Sequence, residues 1–128
     1  MNYCEKNWRR AMLENRIYSF LGLARKANKL AAGYESCERL LKAGKAELVI
    51  VAEDASQNTK KKFIDACNYR KVDIRIFGKK ELLGKFIGKD IRSVIAVLDR
   101  GFAKRTIELI DEAKIGCGGE AIGKKESL

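Results

Sequence analysis

The stretch Leu48-Val49-Ile50-Val51-Ala52 decides the fold class, because it is an unbroken apolar run rich in β-branched residues. Val94-Ile95-Ala96-Val97-Leu98 is a second run of the same kind. A strand without polar residues has to be covered on both faces of its sheet. Val72, Ile74 and Ile76 instead alternate with charged residues, which predicts a half-exposed strand.

Segments with helical periodicity alternate with these strands along the chain. The predicted helices cover about residues 15–28, 34–43, 59–70, 80–87 and 103–114, and Leu30-Ala31-Ala32 is a short apolar piece after the first. This order predicts an α/β protein, a three-layer α/β/α sandwich around a small mixed four-stranded sheet. The domain would span residues 15–114, with a polar N-terminal arm or frayed helix over 1–14 and a flexible tail over 115–128.

The size and composition of the chain fit one globular domain. It has 128 residues, of which 46% are hydrophobic and 34% are charged, enough to build one core. No apolar run approaches the roughly 18 residues of a membrane span, and no signal peptide opens the sequence. We therefore expect a cytoplasmic protein without a membrane partner.

The residue types that are missing exclude several kinds of chemistry. The chain has no histidine, which rules out Ser–His and Cys–His catalysis and removes the commonest metal ligand. The four cysteines are Cys4, Cys37, Cys67 and Cys117. They are far apart and form no C-x-x-C pair, so we expect no metal, and Cys37 and Cys67 are predicted to be small core residues.

A segment near the end of the chain matches only part of the phosphate-binding loop motif. Residues Gly118 to Lys124 read G-x-x-x-x-G-K, but Lys125 stands where the motif needs serine or threonine, and no strand precedes it. The sequence contains no other arrangement typical of an enzyme. We therefore expect no catalytic residues and no cofactor.

The charge balance points to a polyanionic partner. Lysine and arginine number 27 against 17 aspartate and glutamate, which gives a net charge of +10 and a pI near 9.6. A small cytosolic domain this basic usually meets a polyanion, and a merely soluble surface is the alternative. A membrane surface is a weaker option, because no predicted helix combines a basic face with bulky exposed apolar residues. The run Lys60-Lys61-Lys62 is by itself typical of a solvated helix face.

The start of the second predicted helix is the strongest candidate for a binding site. Gly33 precedes it, where backbone N–H groups are unpaired and the helix dipole favours anions. Glu35, Ser36 and Arg39 share one side of the helix. On the residues alone, two interpretations stay open: an i,i+4 ion pair that only stabilises the helix, or a turn that contacts a ligand.

Several short motifs, in the order in which they occur, resemble one known family. They are Gly33 and Gly44 with ten residues between them, the segment 46–55, and Lys80-Glu81-Leu82-Leu83-Gly84 followed by Gly88 and an apolar strand. Over roughly residues 15–114 this order is similar to the kink-turn RNA-binding ribosomal proteins of the L7Ae and L30e type. Residues 21–27, 53–59 and 99–103 are similar to the corresponding sequence segments of the bacterial YlxQ branch of that family.

The resemblance implies a non-catalytic RNA-binding protein, associated with the ribosome, that recognises bent structured RNA such as a kink-turn. Its partners would be ribosomal or other structured RNA, with ribosomal proteins as further candidates, and we expect a monomer. A protein-interaction module with incidental basic charge is the alternative. The RNA-binding positions carried over by the resemblance are Gly33, Glu35, Ser36, Arg39, Lys80, Lys89, Ile91 and Arg92.

Three of these positions depart from the family's pattern. The resemblance puts asparagine and glutamate where this chain has Glu35 and Ser36, and lysine where it has Arg39. A carboxylate accepts hydrogen bonds but cannot donate as an amide does, and serine has a short reach. Arginine keeps the charge and adds a planar fork for phosphate or guanine. We therefore expect phosphate contact, and kink-turn specificity is a question for experiment.

Overall fold

The fold contains five helices around a four-stranded sheet. The computed structural model describes residues 2–88 and 90–118, with side chains over 11–88 and 90–113. The elements in chain order are α1 (Asn2–Lys26), β1 (Leu30–Ala32), α2 (Tyr34–Lys42), β2 (Leu48–Val51), α3 (Gln57–Arg70), β3 (Asp73–Ile76), α4 (Lys80–Phe86), β4 (Val94–Val97) and α5 (Arg100–Gly118). Over the described residues, none of these helices has the length and apolar character needed to span a membrane.

The sheet is mixed and its central strands are completely buried. The strand order is β1-β4-β2-β3, with β4 antiparallel to both β1 and β2, and β2 parallel to β3. Helices α2 and α3 pack together against the sheet, while α1 packs on α4 and α5. The predicted three-layer α/β/α sandwich is confirmed, and β3 is the half-exposed edge strand that its alternating pattern indicates.

Strand register divides the loops between two ends of the sheet. Strands β1, β2 and β3 end where β4 begins, since Val51 pairs with both Val94 and Ile76. We call this the upper end, and its loops contain Gly33 and residues 52–54, 77–79 and 88–93. The opposite, lower end carries the loops at 27–29, 43–47, 71–72 and 98–99.

Side-chain caps set the start of two helices earlier than hydrophobic periodicity predicts. Helix α3 begins at Gln57 because the Ser56 hydroxyl accepts a hydrogen bond from the Thr59 N–H at 3.1 Å. Helix α5 begins at Arg100 because an Asp99 carboxylate oxygen accepts from the Phe102 N–H at 3.0 Å. Apolar spacing alone misses such starts, since capping residues lie outside the periodic pattern.

The N-terminal helix is longer than expected. The segment predicted as a polar arm or frayed helix, residues 1–14, is helical from Asn2 and continuous with the rest of α1. No proline or glycine interrupts residues 2–21, and nothing there terminates a helix. At the other terminus α5 continues to Gly118, into the segment predicted as a tail. Residues 119–128, with most of the G-x-x-x-x-G-K sequence, lie outside the described residues.

Two cysteines belong to the core, as predicted. Cys37 and Cys67 are fully buried and unpaired. Burial raises the pKa of Cys37 to about 12 and the pKa of Cys67 to about 11. Both side chains therefore remain neutral thiols at physiological pH, and neither can serve as a thiolate nucleophile.

Gly84 of α4 allows the loop 88–93 to lie directly against that helix. A Cβ added at Gly84 would stand 3.0 Å from the Ile91 Cα and closer still to the backbone carbonyl of Asp90. These neighbours are backbone atoms, so neither can rotate away as a side chain would. The glycine thus fixes the position of the loop that carries Ile91 and Arg92.

We predict that Gly84→Ala lowers the free energy of unfolding by about 1–3 kcal/mol, the usual cost of overpacking. Lys85→Ala, at the exposed next residue of the same helix, is the matched control and should stay within about 0.5 kcal/mol of wild type. Urea denaturation followed by circular dichroism measures both values. Equal stability of the two variants would show that the loop does not depend on this contact.

Candidate nucleic-acid interface

The upper end of the sheet gathers residues that are far apart in sequence. The Gly33 N–H donates to the Val94 carbonyl at 3.0 Å, and the Arg92 N–H donates to the Lys80 carbonyl at 3.1 Å. The Ala52 N–H likewise donates to the Ser93 carbonyl at 2.8 Å. Backbone hydrogen bonds therefore hold the start of α2, the start of α4 and the loop before β4 beside one another.

Gly33 is the residue on which the entry into α2 depends. Its backbone has φ 108° and ψ 148°, a conformation that L side chains rarely adopt. A Cβ at this position would lie 3.9 Å from Arg92 Nε. No side chain of the described residues caps this helix, so its first N–H groups face outward without a side-chain acceptor.

The first turns of α2 present two charged side chains, Glu35 and Arg39, that have no ion-pair partner among the described side chains. Glu35 and Arg39 are exposed and Ser36 is half-buried. Among the described side chains no ion pair joins Glu35 to Arg39, so the helix-pair interpretation does not describe this structure. Glu38 is instead the paired carboxylate on α2, and its partners are Lys62 at 2.9 Å and Lys42 at 3.5 Å.

The lysine run on α3 is largely committed to neighbouring groups. The hydrogen bond from Lys62 lowers the pKa of the Glu38 carboxyl, and that bond also raises the pKa of Lys62 to about 12. The Lys62 ammonium also lies 4.8 Å from the centre of the Tyr34 ring. Lys61 pairs with Asp65 at 3.6 Å. Lys61 and Lys62 therefore make their contacts within the α2–α3 layer, on the solvent-exposed side of α3.

Lys80 is positioned by two residues that sequence analysis did not single out for this role. An Asp54 carboxylate oxygen accepts from the Lys80 N–H at 3.0 Å. The Tyr18 hydroxyl accepts from the Lys79 N–H at 3.1 Å, and burial raises the pKa of Tyr18, which keeps that hydroxyl protonated. Neither contact has a local sequence signal, because its partners are brought together only by the fold.

The loop before β4 displays one apolar residue between charged ones. Ile91 is 50% exposed, whereas Arg92 is half-buried and its Nη1 donates to the Ile91 carbonyl at 2.7 Å. Lys89 lies outside the residues that the structure describes. Of the predicted positions, Gly33, Lys80 and Arg92 are therefore joined at the upper end, with Glu35, Ser36 and Arg39 along α2 and Ile91 beside them.

The described part of the chain offers no site for metal chemistry. Its side chains contain no group of three or more histidine, cysteine, aspartate or glutamate residues that could hold an ion. At the upper end, Arg39, Lys80 and Arg92 can contact an anionic backbone, and Glu35 can accept hydrogen bonds from base edges.

Comparison with protein families identifies the class to which the chain belongs. Residues 15–107 match the ribosomal protein L7Ae/L30e/S12e/Gadd45 family. The matched region includes the whole sheet and every position of the candidate interface. The chain is therefore a member of this family.

Two curated relatives narrow the comparison within the family. Both carry the name RNA-binding protein YlxQ, one from Bacillus subtilis (strain 168) and one from Enterococcus faecium, and each is 43% identical to this chain over 94 residues. The aligned region covers 73% of this chain in both cases, with 94% of the first relative and 89% of the second.

Solved structures support the same assignment of fold. A protein from Bacillus halodurans C described as having unknown function is 39% identical, with a TM-score of 0.72 over 74% of this chain and 96% of the other. The Giardia lamblia 15.5kD RNA binding protein has a TM-score of 0.67 at 19% identity, over 82% and 90% of the two chains. The second likeness shows the fold alone.

We predict that Asp54→Ala lowers the free energy of unfolding by about 0.5–2 kcal/mol, the cost of losing a carboxylate that accepts from a helix N–H. Asp54→Asn keeps a side-chain oxygen acceptor and should recover most of this loss. Thermal and urea unfolding of the three proteins give the comparison. If asparagine and alanine are equally destabilising, the Asp54–Lys80 hydrogen bond does not hold the start of α4.

Proposed function

We propose that the protein binds RNA through the upper end of its sheet and recognises bent RNA such as a kink-turn. The family to which the chain belongs and its YlxQ relatives are RNA-binding proteins and not enzymes, so we assign it no catalytic activity. The observation that carries the proposal is the convergence of Gly33, Lys80 and Arg92 at one end of the sheet.

In the proposed interface, some residues position the RNA and others recognise the shape of its bend. Lys80 and Arg92 contact phosphates, which fixes the register of the RNA without reading its sequence. The exposed first turns of α2 enter the groove at the bend, where Glu35 accepts hydrogen bonds and the Arg39 fork grips a phosphate or a guanine edge. Ile91, half exposed on the adjacent loop, covers nucleotides extruded by the bend.

The cellular context that we propose extends the chain's membership of a ribosomal protein family. A structured RNA with a sharp bend is the ligand, and ribosomal RNA is the first candidate. We propose a ribosome-associated, cytoplasmic protein that acts as a monomer, with ribosomal proteins as further neighbours. These statements rest on family membership.

The test compares a kink-turn RNA with a straight duplex of the same length at several salt concentrations. If four to six phosphates are neutralised, the slope of log K against log salt should be on the order of −3 to −5. The kink-turn should bind more tightly than the duplex at every salt concentration, because only the bent RNA fits the first turns of α2. Fluorescence anisotropy of labelled RNA measures both quantities.

The two possible failures of this experiment have different meanings. A flat salt response would contradict RNA binding altogether, because phosphate contacts release counterions. A steep slope with equal affinity for both RNAs would contradict recognition of the bend.

A second prediction concerns the two positions at which the chain departs from the family pattern. We expect Glu35→Asn with Ser36→Glu to tighten binding to a kink-turn with sheared G·A pairs. The amide both donates and accepts, and the new glutamate reaches guanine N–H groups that serine does not. The gain should be about 1 kcal/mol or more, the scale of one hydrogen bond to a charged group.

The double variant carries its own control, because its net charge equals that of wild type. Affinity for a straight duplex should therefore stay unchanged, and stability should change little since Glu35 is exposed and Ser36 is half-buried. Unchanged or weaker kink-turn binding would mean that the natural RNA is not read as other members of the family read theirs.

A further inference from the structure

Positive charge is concentrated at the lower end of the sheet, opposite the proposed interface. The lower-end loops with their flanking helical residues, segments 25–29, 42–47, 70–73 and 98–100, contain eight lysine and arginine residues against three acidic ones. The corresponding upper-end segments, 33–39, 52–54, 77–81 and 88–93, contain five against six. The net charge of the protein is therefore not explained by the upper end.

The four lower-end segments leave the sheet side by side. Leu30 and Leu48 both pair with Val97, and Leu48 also pairs with Asp73. At about 4.8 Å between strands, this row of residues spans roughly 15 Å. Two of the charged segments are also connected by a hydrogen bond, in which the Leu98 N–H donates to the Lys29 carbonyl at 2.8 Å. The charged segments that adjoin the row thus form one surface.

Helix dipoles account for only part of this charge. Lys42 and Arg70 lie in the last turns of α2 and α3, where cations are stabilised. Lys29, Lys45 and Lys71 lie beyond the helix ends, and no described carboxylate pairs with any of these side chains. Arg100 is the first residue of α5, where the dipole disfavours a cation, and its side chain is 88% exposed with a distant contact to Glu47 at 3.9 Å.

An exposed aromatic ring lies in the last turn of α3, next to Arg70. Tyr69, in the last turn of α3, is 83% exposed, the largest value among the exposed large hydrophobic residues of the described chain. The Arg70 guanidinium carbon lies 5.8 Å from the centre of its ring. An aromatic ring bordered by arginine and lysine can stack on a base while its neighbours contact phosphates.

We propose that the lower end is a second RNA-binding surface, which holds a single-stranded RNA segment by stacking on Tyr69 and by phosphate contacts from Lys29, Lys45 and Lys71. Single-stranded RNA is favoured because its bases are free to stack, whereas a duplex offers only its backbone. The protein would then connect a bent RNA at one end to an unpaired segment at the other. The choice of RNA as the polyanion rests on the proposed function.

The test uses the full chain, saturated with one equivalent of unlabelled kink-turn RNA, and titrates it with a fluorescein-labelled decamer of uridine. Wild type should bind the decamer without releasing the kink-turn. Tyr69→Ala should weaken decamer binding at least fivefold, the lower limit for one stacked base, while Tyr69→Phe keeps the ring and should stay within about twofold of wild type.

The charge contribution is tested with matched triple variants. Changing Lys29, Lys45 and Lys71 to glutamine should make the salt slope for the decamer shallower by about 2, since each single-strand phosphate contact contributes roughly 0.7. Changing the exposed mid-helix residues Arg16, Lys61 and Arg105 to glutamine removes the same charge and should leave the slope near that of wild type.

Three results would overturn the proposal. The kink-turn RNA could displace the decamer, which would mean a single shared surface. The two triple variants could weaken the decamer equally, which would mean unspecific attraction. The lower-end variant could lose binding only to vesicles with 30% phosphatidylserine, which would assign the surface to membranes. If the kink-turn RNA does not bind, the proposed function fails. Decamer binding that depends on Tyr69 when no kink-turn RNA is present would still support the lower-end surface.

Discussion

The pairing of β2 with β4 is the constraint on which the rest of the structure depends. These two central strands are fully apolar and fully buried, so burial of their side chains supplies a large share of the driving force for folding. Their antiparallel register joins Val51 to Val94 and Leu48 to Val97. A shift of the register by one residue would turn each side chain to the other face of the sheet, so both closely packed faces would have to repack.

This register also determines which residues meet at each end of the molecule. Because β1, β2 and β3 end where β4 begins, the start of α2, the start of α4 and the loop before β4 lie together. Gly84 then allows a close approach of loop backbone that a Cβ would prevent, and Gly33 adopts a positive φ that residues with a side chain rarely adopt. The lower end receives the loops after α1, α2 and α3, with the lysines that follow these helices. One strand pairing thus produces two surfaces of different charge.

The sequence alone predicts the layers of this fold well, and it names candidate interface residues of which the structure brings Gly33, Lys80 and Arg92 together. Apolar runs such as 48–52 identify central strands directly, and the ordered motifs from Gly33 to Gly88 indicate the family. It does not predict the contacts of Asp54 and Tyr18 with the start of α4, because these are long-range hydrogen bonds without local signals. It also leaves the Glu35–Arg39 pair undecided, because spacing on a helix permits an ion pair without requiring one.

The most direct test of the upper end as the RNA-binding surface is to map backbone amide shifts in a ¹⁵N-labelled sample titrated with one equivalent of kink-turn RNA. The account predicts that the largest changes fall at Gly33 to Arg39, at Lys79 and Lys80, and in the loop 88–93. Changes concentrated instead on the outer face formed by α1 and α5, or spread evenly over the surface, would contradict it.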